Sequence, residues 1–314
     1  MISGAGADSK KKLLITGATG FIGRALFDRL IERDDYNITV ISRRREKADY
    51  FTERGASFIQ SDITKRTDTE RIKESFEIII HSAGCVSNGP EKSANPLGTE
   101  NICRMALKTG AERLIYISSV SVVSANKQIP LTEDLPYSGS TPYAESKIEA
   151  EKAAIRYREK GVPTVILRPP IVYGKDEPHF MPALSRLLKL RIFPLPNGGR
   201  ARFHMVYVEN LVDAIIFALK SDKMFSGTYF TADSEALTVK EVFTIMAEGL
   251  GVKPPLCLNN ICTTAICRAP IAGKKFRFFT KERVYSTEKI EALGFRPGVK
   301  AGKALLRSTG NNIE

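Results

Sequence analysis

Thr16-Gly17-Ala18-Thr19-Gly20-Phe21-Ile22-Gly23 is the segment that sets the architecture of this chain. It follows Lys12-Leu13-Leu14-Ile15, a short apolar run that reads as a buried strand. It leads into Phe21, Ile22, Ala25, Leu26 and Leu30, which recur with a helical period. Gly17 suits a strand-to-helix turn because glycine tolerates positive φ. Gly20 has no Cβ and leaves room for a pyrophosphate against the backbone, and Gly23 lets the helix lie close to the strand. Thr19, Phe21 and Ile22 belong to the turn and the first helical N–H groups, where the helix dipole favours negative charge. The G-x-x-G-x-x-G spacing differs by one residue from the G-x-G-x-x-G dinucleotide fingerprint.

The next strand is Asn37-Ile38-Thr39-Val40-Ile41. In a doubly wound sheet its C-terminal end faces the adenosine ribose. An acidic residue there would bond the ribose hydroxyls and repel a 2′-phosphate. This chain has Ser42-Arg43-Arg44-Arg45 instead. Arg43 or Arg44 can pair with a 2′-phosphate through charge-assisted bonds. The expected cofactor is therefore NADP, with NAD as the alternative. Asp62, after Phe58-Ile59-Gln60-Ser61, is placed to contact the adenine edge, with Ile63 beside it.

Strand patterns at 12–16, 37–41, 57–60, 77–81, 113–118 and 163–167 alternate with helical patterns at 21–33, 67–75, 97–109 and 143–160. This alternation predicts an α/β fold, a Rossmann-type doubly wound parallel sheet with helices on both faces. Beyond Arg168-Pro169-Pro170 the regularity drops, and Pro178, Pro182, Pro194, Pro196, Gly198 and Gly199 mark a loop-rich insertion. A strand and helix return over 205–220, and two further helices are expected near 238–250 and 258–268. The expected organisation is a dinucleotide-binding domain over 1–174, rejoined by about 205–235. A smaller C-terminal substrate-binding lid would comprise 175–204 and 236–314.

A chain of 314 residues can bury a substantial core. It contains no apolar run long enough to span a bilayer. Met1 to Lys12 reads as a short flexible lead without a hydrophobic signal core. The five cysteines, Cys85, Cys103, Cys257, Cys262 and Cys267, are odd in number and include no C-x-x-C. They read as free thiols rather than a metal site, which implies a cytoplasmic protein with no metal. The net charge is +12. The basic residues are scattered and no nucleic-acid module is evident, so an anionic cofactor and an anionic substrate explain the bias economically. The run Lys274-Lys275-Phe276-Arg277-Phe278-Phe279 is also compatible with a membrane surface.

The chemistry resides in two later segments. The strand Arg113-Leu114-Ile115-Tyr116-Ile117 ends at Ser118-Ser119. Tyr143-Ala144-Glu145-Ser146-Lys147 opens a helix and places Lys147 one turn beyond Tyr143, on the same face. A phenol titrates near 10 and is a poor acid–base group at neutral pH, but an adjacent cation favours the phenolate. Tyr143 would give or take a proton, Lys147 would supply the positive field, and Ser119 would orient the substrate oxygen. A nicotinamide would carry the hydride. His81 reads as a satisfied structural histidine.

With these motifs in place, the chain resembles the extended short-chain dehydrogenase/reductase family of the NAD-dependent epimerase/dehydratase type. The likeness rests on the glycine turn, His81-Ser82-Ala83-Gly84, Asn95-Pro96-Leu97-Gly98-Thr99-Glu100-Asn101, Leu167-Arg168-Pro169-Pro170-Ile171-Val172-Tyr173-Gly174 and Val206-Tyr207-Val208-Glu209-Asn210-Leu211-Val212. It implies Ser119, Tyr143 and Lys147 as catalytic residues. It implies cofactor contacts from Gly17, Thr19, Gly20, Phe21, Ile22, Gly23, Arg43, Arg44, Asp62, Ile63, Ser82, Ala83, Gly84, Ser118, Tyr143, Lys147, Pro170 and Val172. Substrate contacts are expected from Ser119, Val120, Tyr143, His179 and Arg202, and a homodimer through two helices per subunit. His204 is a further candidate for ligand contact. Val120-Ser121 stands where sugar 4,6-dehydratases of this family carry an Asp-Glu pair, which argues against dehydration.

The resemblance implies an oxidoreductase or epimerase for a secondary alcohol or ketone. A nucleotide-diphosphate sugar is the favoured substrate, for a 4-epimerase or 4-ketoreductase. The alternatives are a hydrophobic substrate, as in 3-beta-hydroxysteroid dehydrogenases and dihydroflavonol reductases, or a non-catalytic dinucleotide sensor.

Overall fold

The computed structural model describes residues 10–86, 89, 93–269 and 272–309, without the side chains of 272, 274 and 275. Residues 1–9 of the expected flexible lead lie outside the described residues. The chain divides into two compact units. The first comprises Met1–Ser118, Thr141–Ile166 and Met224–Gly227; the second comprises Ser119–Ser140, Leu167–Lys223 and Thr228–Glu314. Of the stretch 205–235, only Met224–Gly227 groups with the first unit.

In chain order the first elements are β1 (Lys11–Thr16), α1 (Phe21–Ile31), β2 (Tyr36–Ser42), α2 (Ala48–Thr52), β3 (Ser57–Gln60) and α3 (Arg66–Glu70). They continue with β4 (Ile78–His81), α4 (Ala94–Thr109), β5 (Arg113–Ile117), α5 (Pro142–Glu159) and β6 (Thr164–Arg168). A seven-stranded sheet has the order β10-β6-β5-β4-β1-β2-β3, where β10 is Gly227–Phe230. β1 pairs in parallel with both β2 and β4, and β4 with β5. This is the doubly wound Rossmann-type arrangement expected from the alternation. Every residue of β4, β5 and β6 is buried, as strands covered on both faces require. Leu14, Ile79, Ile102, Leu114, Ala150 and Ile166 meet in one core that joins the sheet to α4 and α5.

One local expectation needed correction, and one short helix was not anticipated. The helix expected at 67–75 ends at Glu70, because Arg66–Glu70 buries only Thr69 and little packing supports extension. The short α2 escaped notice because its buried face is only Ala48 and Phe51.

The second unit contains β7 (Ile171–Tyr173), α6 (Phe180–Leu190), β8 (Arg202–Phe203), β9 (Met205–Tyr207) and α7 (Val208–Lys220). After β10 come β11 (Leu237–Thr238), α8 (Val239–Gly249), α9 (Asn260–Cys267), α10 (Ala272–Thr280), α11 (Glu288–Glu291) and α12 (Ala301–Thr309). The helices expected near 238–250 and 258–268 correspond to α8 and α9. α8 opens with a capping box between Thr238 and Glu241. A buried Asp233 organises this unit. Its carboxylate accepts from the Tyr173 hydroxyl (2.7 Å), the Tyr207 N–H (2.9 Å) and the Asn210 amide (2.7 Å). Burial still holds that carboxyl above its usual pKa, despite these three donors. Among the described residues no helix is long and apolar enough to cross a membrane.

Candidate active site

The glycine turn has the geometry its sequence demands. Gly17 sits at φ +78°, and a Cβ there would fall 2.5 Å from the backbone nitrogen of Ala83. A Cβ on Gly23 would fall 2.2 Å from the Gly17 carbonyl oxygen. The close approach that requires Gly23 is therefore to the turn itself, not to the strand. Gly20 caps α1 at an ordinary φ of −92° without a side-chain hydrogen bond, and α1 carries no acidic residue in its first turn. Its first N–H groups and positive dipole end suit a pyrophosphate. These features fit a dinucleotide.

The end of β4 closes the turn from the other side. Ser82 donates both its N–H (3.2 Å) and its hydroxyl (2.7 Å) to the Thr16 carbonyl, and the Ala83 N–H donates to Thr16 Oγ1 (3.4 Å). His81 is buried with both ring nitrogens engaged, Nδ1 with Thr16 Oγ1 (2.7 Å) and Nε2 with Thr99 Oγ1 (3.0 Å). Burial, with the Lys147 charge nearby, pushes its pKa down to about 3, so it is neutral at physiological pH. His81 is thus a structural histidine.

At the end of β2, Arg43 and Arg44 are both exposed. Asp62 accepts from the Thr64 hydroxyl (2.8 Å) and N–H (3.0 Å) through Oδ1. Burial opposes its charge, but the Thr64 donors and the nearby Arg43 cation hold its carboxyl below the usual range. Asn101 donates to the Ile63 carbonyl (2.8 Å) and ties this loop to α4.

Tyr143 and Lys147 occupy the first turns of α5. Thr141 caps the helix by accepting from the Ala144 N–H, and Pro142 takes the first helical position. Tyr143 is half-buried, whereas Lys147 is 4% exposed. The Lys147 ammonium donates to the Ile117 carbonyl at 2.8 Å and lies 4.7 Å from the Tyr116 ring centroid. Burial lowers the Lys147 pKa to about 8, against the raising effect of Glu151. Glu151 is fully buried one turn further along α5 and accepts from the Ser118 hydroxyl. Ser118, expected to face the cofactor, thus directs its hydroxyl to this carboxylate.

Two positions that support the site receive no role from the sequence, although Asn95 opens one of the quoted motifs. Glu151 was legible as the i+4 partner of Lys147 on the same helical face. Asn95 is 3% exposed and links the Cys85 backbone (2.7 and 2.9 Å) to the Ser146 hydroxyl (2.9 Å). Ser146 in turn donates to the Tyr143 carbonyl (2.7 Å), so Asn95 helps fix Cys85 and the start of α5. A Cβ on Gly84 would lie 3.2 Å from Asn95 Oδ1 and 3.9 Å from the Lys147 nitrogen.

The remaining predicted residues belong to the second unit. Ser119 caps a short 3₁₀ turn over Val120–Val122, and its oxygen accepts from the Ser121 N–H (3.1 Å). The Val120 N–H donates to the Pro169 carbonyl (3.1 Å). Pro170 is buried, and Val172 is half-buried where β7 pairs with β9. His179 is exposed at the start of α6, and Arg202 is ion-paired with Glu282. His204 is neither ligand-facing nor a surface histidine. It is buried, with Nε2 on the Asp233 carbonyl (2.7 Å) and Nδ1 accepting from the Tyr285 N–H (3.3 Å).

Fold and turn together define a dinucleotide-dependent redox scaffold. The model of the NAD dependent epimerase/dehydratase family matches residues 13–230. The chain belongs to that family, and it is an enzyme of the short-chain dehydrogenase/reductase or epimerase type. UDP-glucose 4-epimerase of Vibrio cholerae is 29% identical over 254 residues, covering 76% of this chain and 76% of that protein. A ketoreductase of Stigmatella aurantiaca, named for 4-hydroxy-2-methyl-3-oxo-4-farnesyl-3,4-dihydroquinoline-1-oxide, is 24% identical and covers 77% of this chain and 74% of its own. The crystal structure of the Bordetella bronchiseptica enzyme WbmG with NAD superposes with a TM-score of 0.78 at 22% identity, over 96% of this chain and 94% of that one.

Proposed function

We propose that this enzyme interconverts a secondary alcohol and a ketone, with NADP as cofactor and a nucleotide-diphosphate sugar as substrate. It would act as a 4-ketoreductase or a 4-epimerase. The observation that carries the reading is Lys147: a buried ammonium, anchored on the Ile117 carbonyl, one helical turn from Tyr143. Such a cation stabilises the phenolate and brings Tyr143 into the range of useful acid–base chemistry. Tyr143 gives its proton to the substrate oxygen in reduction and takes it in oxidation. Ser119 orients that oxygen, with Val120, His179 and Arg202 as further substrate contacts. The nicotinamide, when bound, supplies or accepts the hydride. Gly17, Thr19, Gly20, Phe21 and Ile22 would hold its pyrophosphate, Asp62 and Ile63 its adenine, and Arg43 and Arg44 its 2′-phosphate.

The Vibrio relative supports the nucleotide-sugar substrate. The Stigmatella relative supports the second reading, a net reductase of a hydrophobic ketone. The reading includes a homodimer and a cytoplasmic location. Exposed Leu97 and Leu107 on α4 are consistent with the former, and five free cysteines with the latter.

Calorimetric titration of NADPH, NADH and UDP-sugars, combined with turnover assays, tests the proposal. Exchangeable NADPH and UDP-sugar binding are expected. NADPH binding without any nucleotide-sugar binding would transfer the assignment to hydrophobic ketones. Tyr143→Phe should abolish turnover and leave cofactor affinity within a few-fold. Near-normal activity in that variant would remove Tyr143 from the mechanism.

A further inference from the structure

Two stretches of the second unit carry a charge pattern of which the proposed reaction uses only Arg202. Residues 178–208 contain five lysines and arginines and no aspartate or glutamate. Residues 249–281 contain six, and again no acidic residue. These stretches hold all but one of the twelve net positive charges of the chain.

The same stretches expose large apolar side chains. Leu190 is 53% exposed, Ile192 63%, Leu256 78% and Ile261 81%. The helix α9 reads Asn-Ile-Cys-Thr-Thr-Ala-Ile-Cys, yet the one residue it buries is Thr263. A helix that is apolar over most of its surface and buries a threonine leaves its apolar side uncovered.

These features are contiguous. Leu195 exchanges backbone hydrogen bonds with Leu256 (2.7 Å) and Leu258 (2.8 Å), and the Asn197 N–H donates to Thr263 of α9 (2.7 Å). Phe193 packs against Phe276 and Phe279 of α10, with ring centroids 4.8 and 5.1 Å away. A groove of about 740 Å³ opens between α6 and α10; nine of its ten lining side chains are apolar, and the tenth is Arg186. Arg186 lines this groove, and Lys189, Arg191, Lys253 and Arg268 are exposed in the same two stretches.

We propose that this face of the second unit docks on an anionic lipid bilayer. Leu190, Ile192, Leu256 and Ile261 would enter the boundary between headgroups and acyl chains, and the basic residues would sit among anionic headgroups. The groove between α6 and α10 would accept an acyl chain. Charge complementarity favours a bilayer over a second copy of this chain, because a two-fold contact would press two net-basic surfaces together. The association is peripheral, since no described helix can span a membrane. It is independent of the proposed reaction.

The test is sedimentation of the full-length protein with phosphatidylcholine vesicles, with and without one-third phosphatidylglycerol. Binding to the anionic vesicles alone is expected, weakened in molar salt. Leu256→Asp with Ile261→Asp should reduce partitioning at least about tenfold while leaving the thermal midpoint unchanged. If that double variant fails to fold, Lys189→Glu with Arg191→Glu at the end of α6 should give the same loss. The proposal is overturned by absence of binding at low salt, or by binding that survives in a folded variant. It is equally overturned if sedimentation velocity shows a dimer abolished by these substitutions and the vesicles are ignored, which would assign the face to a second copy.

Discussion

Ser118 and Glu151 form a hydrogen bond sealed from solvent, with the serine donating. The residue before Ser118 offers its carbonyl to Lys147, one turn before Glu151 on α5. Two successive strand-end residues are thereby locked to two successive turns of one helix. This double latch sets the register of α5 against β5.

Glu151 also opposes the desolvation of Lys147. Glu151→Gln keeps an acceptor for Ser118 and removes the anion, so the Lys147 pKa, about 8 in the native protein, should fall further. The ammonium is the active form below that pKa, and the rate should decline as pH rises through it. A kcat–pH profile should therefore show the alkaline limb at lower pH in the variant. Glu151→Ala leaves the Ser118 hydroxyl unpaired and should cost about 1–3 kcal/mol in chemical denaturation. An unmoved alkaline limb would show that Glu151 acts only as a latch.

Gly17 and Gly20 should separate by function. Gly17→Ala places a side chain at φ +78° and against the Ala83 backbone, and should destabilise the protein by more than about 1 kcal/mol. Gly20 has an ordinary backbone, and its added Cβ would meet only the Gly17 carbonyl oxygen, at 3.3 Å. Gly20→Ala should change stability by less than about 1 kcal/mol. It should weaken dinucleotide binding at least about tenfold, by occupying the space for the pyrophosphate. Denaturation and calorimetry on the two variants distinguish these effects.

The sheet and the Tyr143–Lys147 pair were legible because their signals are local. A strand, a glycine turn and a helix lie within 12–31, and one helical turn aligns Tyr143 with Lys147. The partners of these residues were less legible because they come from distant segments. Nothing near Lys147 in the chain announces the Ile117 carbonyl, and nothing near His204 announces Asp233 or Tyr285. By sequence the run Lys274 to Phe279 is compatible with a membrane surface, but its internal packing is not legible there. In the structure Phe276 and Phe279 of α10 pack against Phe193, which comes from a segment some eighty residues earlier.

Arg43 and Arg44 stand where an acidic residue would favour NAD, and both are exposed. Arg43→Ala with Arg44→Ala should weaken NADP binding at least about tenfold and leave NAD nearly unchanged, because only NADP offers a phosphate for charge-assisted bonds. Titration of both cofactors into the double variant checks this. Equal losses would show that the arginines act on the protein's overall field rather than on the 2′-phosphate.

His81 gives the protein a sensitivity to acid. Its pKa is near 6.5 in the unfolded chain and about 3 in the folded one. A folded pKa below the unfolded value means that the unfolded chain takes up the proton first. The corresponding stability is fully present above pH 6.5 and drains away as pH falls towards 3. His204 acts in the same direction, since burial lowers its pKa and protonation would forfeit the Tyr285 N–H bond. His81→Phe keeps a ring against Tyr116, whose centroid lies 5.4 Å away, but leaves the Thr16 and Thr99 hydroxyls without their imidazole. That variant should lose about 1–3 kcal/mol at pH 7. Its stability should also fall less steeply between pH 6.5 and 4 in a series of urea denaturations, because one proton-linked group is gone. An unchanged slope would place the acid sensitivity in other groups and make the neutral His81 a matter of packing alone.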